Sequence, residues 1–394
     1  MKKKLVMYFD RMKDRHLNKD VGLLPYFIAK KFNLDLEYIT ADDCGLKRFK
    51  NYRITKIKRL PSYRFNIFFY LYLIKNAKNI DCLMTIHFKS RNLLIGMLYK
   101  KLNSNGKFYI KLDLSSDDKK YSNKDIRIEE SDNFIQRKIK TLKRIYRRRK
   151  FYFIKYVDLI SSEVIEVYEN INQHGLYGNK ISDRLTLLFN GMDNERNNIK
   201  LNKYSQKEDI ILTVGRLGIH SKNTEFFLDV IKELDLKNWK VILVGPITDE
   251  FKKKIELFYK ENPSLKERVI FTGNISDRDK LLNYYNKSKV FCLTSRTEGF
   301  ALVLPEARYY GNYIVTTDVG GAKEVTEEGE YGRVIPQGNK TEFVEVLQEI
   351  INDEMDLEKK YNKIVSRRYE ITWENLIEIN QELSMFLGDN KNWN

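Results

Sequence analysis

Twice along this chain, short apolar runs of strand length alternate with segments whose apolar residues recur at helical spacing. Few folds accommodate that pattern. A strand, a covering helix and a next strand form a crossover unit, and serial repetition of the unit builds a parallel sheet covered on both faces. In the first half the runs at 4–9, 34–40, 81–87 and 107–114 read as strands, and 23–32, 64–78 and 90–102 read as helices. The second series places strands at 210–214, 240–244, 269–272, 290–294, 313–317 and 332–335, with helices at 224–234, 249–261, 278–286 and 304–310. The expected fold is α/β, with two doubly wound, Rossmann-like parallel-sheet domains facing a central cleft and ligands at the carboxyl ends of the strands.

A length of 394 residues with 42% hydrophobic content allows each domain its own core. The expected division is a first domain over 1–194, a polar linker over 195–209, a second domain over 210–365 and C-terminal helices over 366–394 that return to the first. The charge-dense stretch 115–133 breaks the alternation and is expected to be a loop. A final helix is expected over 373–386.

The charge balance points to anionic partners: 71 Lys and Arg against 54 Asp and Glu leave +17. Ten of the cations, and no acid, fall in the 23 positions 134–156. There Ile135, Ile139, Leu142, Tyr146 and Phe153 recur at steps that a helix gathers into one stripe. That pattern suits a helix lying on an anionic membrane surface. It equally suits a charged helix packed by its stripe on its own domain. Nucleic acid is not expected as a partner, because no binding motif accompanies the charge.

Cys44, Cys82 and Cys292 are too few and too scattered for a disulfide framework or a zinc spacing. No leader peptide is evident, and the longest apolar run, 67–74, falls far short of the roughly 20 residues that span a bilayer. The expected location is the cytoplasm, with peripheral attachment to the inner face of the cell membrane.

The most specific stretch is Ser-Arg-Thr-Glu-Gly-Phe-Ala-Leu-Val-Leu-Pro-Glu at 295–306, directly after an apolar strand. Glu298 lies in the turn, and Glu306 lies in the first turns of the next helix. Two carboxylates so placed can point into one cleft, while the N–H groups of Gly299, Phe300 and Ala301 suit a phosphate or sugar oxygen. An isolated pair of glutamates would more simply be a loop charge and a helix-dipole partner. The Asp277-Arg-Asp279 triplet spells a metal-binding D-x-D, but after Ser276 it reads as a helix start with a Ser276–Asp279 capping box.

The E-x7-E pair Glu298 and Glu306, with Gly-Phe-Ala after the first, resembles the signature of retaining glycosyltransferase family 4, whose members share the GT-B fold. Further matches follow in order: Val214-Gly-Arg-Leu217 with Lys222 beyond it, Val244-Gly245, Phe271-Thr-Gly273, and Val319-Gly-Gly-Ala-Lys-Glu324. The resemblance covers 210–339. In the first half it is limited to Asp20-Val-Gly22 and Asn190-Gly-Met-Asp193.

By that resemblance the first domain faces the acceptor and the second binds a nucleotide-diphosphate sugar, a UDP-sugar above others. Arg216 and Lys222 would clamp the diphosphate, and Glu306 would take the ribose hydroxyls. Glu298 would face the transferred sugar, with the 299–302 backbone, ending at Leu302, on sugar and phosphate oxygens and with Asn274 and Ile275 near the base. Here Arg216 and Lys222 are separated by five residues, one more than the commonest family spacing, and Asn223 stands in place of the frequent glycine. Gly22 would let the backbone approach donor or acceptor. His87, Lys111 and Asp113 are equal candidates for the sugar or acceptor contact that the family often gives to a histidine. No metal and no cofactor are implied. The acceptor would be a glycan or lipid-linked molecule of bacterial surface polysaccharide or glycolipid synthesis. A GT-B sugar epimerase, a phosphorylase, a non-catalytic GT-B partner protein and a polyanion-binding protein stay open as alternatives.

Overall fold

The computed structural model describes residues 2–59, 66–114, 134–177, 179–195 and 199–388. The expected loop 115–133 lies outside them. The chain divides into two compact units, Met1–Asn190 with Leu376–Asn394, and Gly191–Asn375.

The first unit is built on eight strands: β1 (Lys4–Tyr8), β2 (Asp35–Thr40), β3 (Arg48–Phe49), β4 (Tyr52–Lys56), β5 (Cys82–Ile86), β6 (Lys107–Lys111), β7 (Leu159–Ser162) and β8 (Leu185–Leu187). Their order is β3-β4-β2-β1-β5-β6-β7-β8. All pairs are parallel except the β3–β4 hairpin, which turns on Lys50 and Asn51, both at positive φ as a two-residue hairpin turn requires. Central β5 is buried along its whole length, as expected of a strand covered on both faces. The helices Asp20–Lys31, Ile67–Asn76 and Ser90–Leu102 fall on the expected segments.

The sequence reading did not find β3, β4, β7 and β8. β3 and β8 have only two and three residues, and β7 carries serines that are buried only because each has a partner: Ser161 Oγ lies 2.7 Å from Tyr109 Oη, and the Ser162 hydroxyl donates to the Val164 carbonyl. The single helix expected over 373–386 is two, Trp373–Ile379 and Gln381–Gly388. Asn380 separates them. Its amide donates to the Leu187 carbonyl at 2.9 Å, and its Oδ1 accepts the Leu383 N–H at 2.7 Å, capping the second helix. Of the expected returning segment, only the part from Leu376 onward belongs to the first unit.

The second unit has β9 (Glu208–Val214), β10 (Lys240–Val244), β11 (Val269–Gly273), β12 (Ser288–Leu293), β13 (Tyr313–Thr317) and β14 (Gly332–Ile335), all parallel, in the order β11-β10-β9-β12-β13-β14. All six expected strands are present, with ends displaced by two residues or fewer. At the end of the expected linker 195–209, Lys207 is buried, and its ammonium donates to the carbonyls of Asn286 at 3.1 Å and Ser288 at 2.7 Å, which ties that end to the second unit. The helix Arg278–Lys287 begins as expected, but its cap is Asp277, which accepts from the N–H groups of Asp279 and Lys280, and not Ser276.

The basic segment forms a helix over Phe134–Lys150, and a 3₁₀ turn, Tyr152–Tyr156, follows it. Phe153 is therefore not on the helical stripe. Ile135 and Leu142 are 68% and 65% exposed, and Ile139 is 46% exposed. Ile135, Ile139 and Leu142 thus face away from the core, against the reading of a helix packed by these residues on its own domain.

Candidate functional site

The strand order of the second sheet reverses between β9 and β12, the place where doubly wound sheets bind ligands at their carboxyl ends. The loops leaving these two strands carry Arg216, Lys222 and Glu298, and hydrogen bonds tie the loops together. The Arg296 N–H donates to the Ser221 carbonyl at 2.8 Å, and the Thr294 hydroxyl donates to the Asn223 carbonyl at 3.3 Å. Asn223 has φ 51, a left-handed position that asparagine tolerates better than most side chains. Asparagine thus meets the backbone requirement of this turn.

Lys222 and Glu298 form an ion pair. The buried Ser295 hydroxyl donates to the same carboxylate at 2.6 Å. Ser295 is fixed in turn, because its carbonyl accepts from Thr317 Oγ1 at 2.6 Å and from Gln337 Nε2 at 3.0 Å. Glu298 is thereby held by a cation, a hydroxyl and a braced loop, the kind of support that fixes a functional carboxylate. Arg216 is exposed and makes no ion pair among the described residues.

Glu306 is on the helix Val303–Tyr309 and pairs with Arg278, the first residue of the helix Arg278–Lys287. Tyr285 is fully buried, and burial together with the charge of Glu306 pushes its phenol well above the ordinary value. Asn274 and Ile275 lie in the loop after β11, the former exposed and the latter half-buried, on the segment that brings Arg278 to Glu306. Of the backbone donors expected at 299–301, that of Ala301 is already committed to the Gly320 carbonyl at 3.0 Å. Gly320 allows this approach, since a Cβ there would lie 1.9 Å from the Gly299 carbonyl oxygen. Leu302 occupies the position before the helix and contributes no side-chain cap.

The candidates of the first unit separate. Gly22 sits in the helix Asp20–Lys31, and its close approach is to its own chain: a Cβ would lie 2.2 Å from the Leu17 carbonyl oxygen. The expected approach to a ligand is replaced by helix packing. Lys111 is 1% exposed and lies 3.3 Å from both Asp20 and Glu163, so it is a buried structural cation. Burial lowers its pKa, but the two carboxylates more than offset that. His87 and Asp113 come together, with Nδ1 3.1 Å from the carboxylate and both residues at positive φ. Asn92 fixes this turn by donating to the carbonyls of Ile86 and His87 at 2.8 Å each. Burial raises the Asp113 carboxyl, and the His87 bond and Lys111 charge overcome this to leave it below the ordinary range.

Sequence reasoning did not single out Ser295 and Arg278. A serine three positions before Glu298 and an arginine opening a helix have no signature of their own. Among the described residues no three His, Cys, Asp or Glu side chains are grouped to hold a metal ion, and no helix is long and apolar enough to cross a membrane.

The two parallel-sheet units define the GT-B fold class. Residues 194–370, nearly all of the second unit, match the family model described as Glycosyl transferases group 1. In sequence the chain is 30% identical over 183 residues to a Campylobacter jejuni alpha-1,4-N-acetyl-D-galactosaminyltransferase acting on GalNAc-alpha-(1->4)-GalNAc-alpha-(1->3)-diNAcBac-PP-undecaprenol, a match covering 45% of this chain and 48% of the relative. It is 26% identical over 212 residues to the capsular polysaccharide biosynthesis glycosyltransferase CapM of Staphylococcus aureus, covering 49% and 53%. The chain thus spans about half the length of the curated relatives it matches. In fold it resembles HepE of Anabaena in complex with UDP, with a TM-score of 0.70, 16% identity and coverage of 98% and 99%.

Proposed function

We propose that the chain is a retaining, metal-independent glycosyltransferase that moves a sugar from a UDP-sugar to a glycan or lipid-linked acceptor in bacterial surface polysaccharide or glycolipid synthesis. The observation that carries this reading is the Lys222–Glu298 pair braced by Ser295 at the reversal of the second sheet, inside the segment that matches the family. The UDP bound by HepE and the undecaprenol-linked substrate of the Campylobacter relative support the donor and the acceptor class.

In this reading Arg216 and Lys222 neutralise the diphosphate, whose charge grows as the sugar leaves. Arg216 has its charge available, and Lys222 shares its own with Glu298. Glu298 faces the sugar, and Glu306 exchanges its Arg278 partner for ribose hydroxyls. Asn274 and Ile275 border the base. No side chain supplies a covalent nucleophile: the departing diphosphate assists attack on the same face, and the rate comes from positioning and charge stabilisation. The exposed stripe and cations of the helix Phe134–Lys150 would attach the enzyme to an anionic cytoplasmic membrane face, where a lipid-linked acceptor resides.

Titration with UDP, GDP and ADP tests the donor, since a ligand at 100 times its Kd adds about 2.7 kcal/mol of apparent stability. UDP should stabilise the chain most. Product anomer analysis by NMR, with and without EDTA, then tests retention and metal independence. An inverted product would sink the retaining assignment, and a free epimerised sugar would replace transfer by epimerisation.

A further inference from the structure

The first unit has a cavity of about 160 Å³ at the carboxyl ends of β1 and β5, where the strand order of its own sheet reverses. Arg11, Lys89 and Arg91 line it together with Asp10 and His87. The acids near it are already bonded. Asp10 accepts from the Tyr8 hydroxyl at 3.0 Å and from Asn66 Nδ2 at 3.2 Å, and Asp113 holds His87. The three cations form no ion pair among the described residues.

Their placement opposes local stability. Lys89 and Arg91 flank the start of the helix Ser90–Leu102, which has no acid in its first turn and no side-chain cap. Cations at that end run against the helix dipole. Burial and the charge of Arg91 push the Lys89 ammonium below its ordinary value, outweighing the pull of Asp113. Like charges kept together at a helix start, while Asp10 and Asp113 are bonded to other partners, suit an anion brought from outside.

We infer that this cavity binds an anionic group of the acceptor, a phosphate or a carboxylate, through Arg11, Lys89 and Arg91. The inference rests on the glycosyltransferase reading above and adds to it that the acceptor carries an anionic group. His87, oriented by Asp113, lines the same cavity and can donate or accept a hydrogen bond there.

The test titrates the full chain, saturated with UDP, with glucose 1-phosphate, glucuronate, glucose and inorganic phosphate. Glucose 1-phosphate or glucuronate should bind at least about tenfold more tightly than glucose, and whichever binds better identifies a phosphate or a carboxylate as the group recognised. The Lys89→Gln/Arg91→Gln variant should lose that preference, and Arg91→Lys, which keeps the charge, should retain most of it. Circular dichroism and UDP binding report whether each variant is folded. Equal binding of charged and neutral sugars by the wild-type chain, or a preference that survives in the double variant, overturns the anion site while UDP binding stands. Failure of UDP to bind the wild-type chain overturns the donor reading itself, and the anion site falls with it.

Discussion

Arg278 places its guanidinium on the carboxylate of Glu306, so the second glutamate of the Glu298–Glu306 pair has a protein partner of its own. A ribose can reach that carboxylate only by sharing it with the arginine or displacing it. Ribose contacts change little as the glycosidic bond breaks, so they act on ground state and transition state alike. Glu306→Gln is therefore expected to raise the donor KM about tenfold and to leave kcat within about twofold, as steady-state kinetics would read. If Arg278 works only by orienting Glu306, the Arg278→Gln/Glu306→Gln double variant is no worse than Glu306→Gln alone. Additive losses would assign Arg278 an independent contact.

Ser295 and Glu298 make the opposite case. The serine hydroxyl is buried and reaches the carboxylate that the proposal sets against the transferred sugar. Contacts to the sugar tighten as charge develops, so disorder in Glu298 falls mainly on kcat. Ser295→Ala should lower kcat roughly tenfold to a hundredfold, the worth of one hydrogen bond to a charged group, with the donor KM little changed. In a Glu298→Gln background the same substitution should cost almost nothing. A full additional loss there would show that Ser295 acts on something other than Glu298.

The second unit was legible in the sequence because each of its strands is a short apolar run bounded by glycine or polar turns, and a parallel sheet covered on both faces needs just that. The motif residues were legible for a related reason: a left-handed turn at Asn223 and a close backbone approach at Gly320 each restrict the residue type. What pairs with what was not legible. Lys111 was a candidate contact because it falls where the resembled family often places a histidine, yet Asp20 and Glu163, remote in sequence, enclose it. Gly22 offered the same ambiguity, since a glycine permits close approach without saying to what. The edge strands β3 and β8, of two and three residues, are too short to display a period.

Lys207 yields a pH dependence of stability. Burial pushes its ammonium down to about 7, far below the ordinary lysine value that the unfolded chain keeps. Between about 7 and 10 the unfolded state then binds more protons than the folded one, so unfolding free energy rises with pH across that window; below it both states are protonated and this slope vanishes. Lys207→Met, which keeps the apolar stem, should flatten the curve of urea midpoint against pH between pH 7 and 10. Wild-type and variant curves that run parallel would mean that the carbonyls of Asn286 and Ser288 hold the ammonium charged in the folded state.

Under the proposed membrane attachment the helix Phe134–Lys150 contributes two kinds of attraction, and they can be separated. Its cations supply about 1 kcal/mol each near anionic lipid, an attraction that salt screens within roughly 10 Å at 0.1 M. Ile135, Ile139 and Leu142 supply apolar surface, which salt does not weaken. Because these three side chains are already exposed, changing them to Ser should leave stability within about 0.5 kcal/mol per site, so lost binding would not reflect unfolding. The triple variant is expected to bind vesicles containing anionic phospholipid several-fold more weakly than wild type at both low and high salt. The wild-type chain should lose only part of its binding as salt rises, and should bind neutral vesicles weakly. Transfer to a lipid-linked acceptor should fall with vesicle binding, whereas transfer to a soluble acceptor fragment stays unchanged. If the wild-type chain ignores anionic vesicles at low salt, the helix does not serve a membrane and its exposed stripe requires another partner.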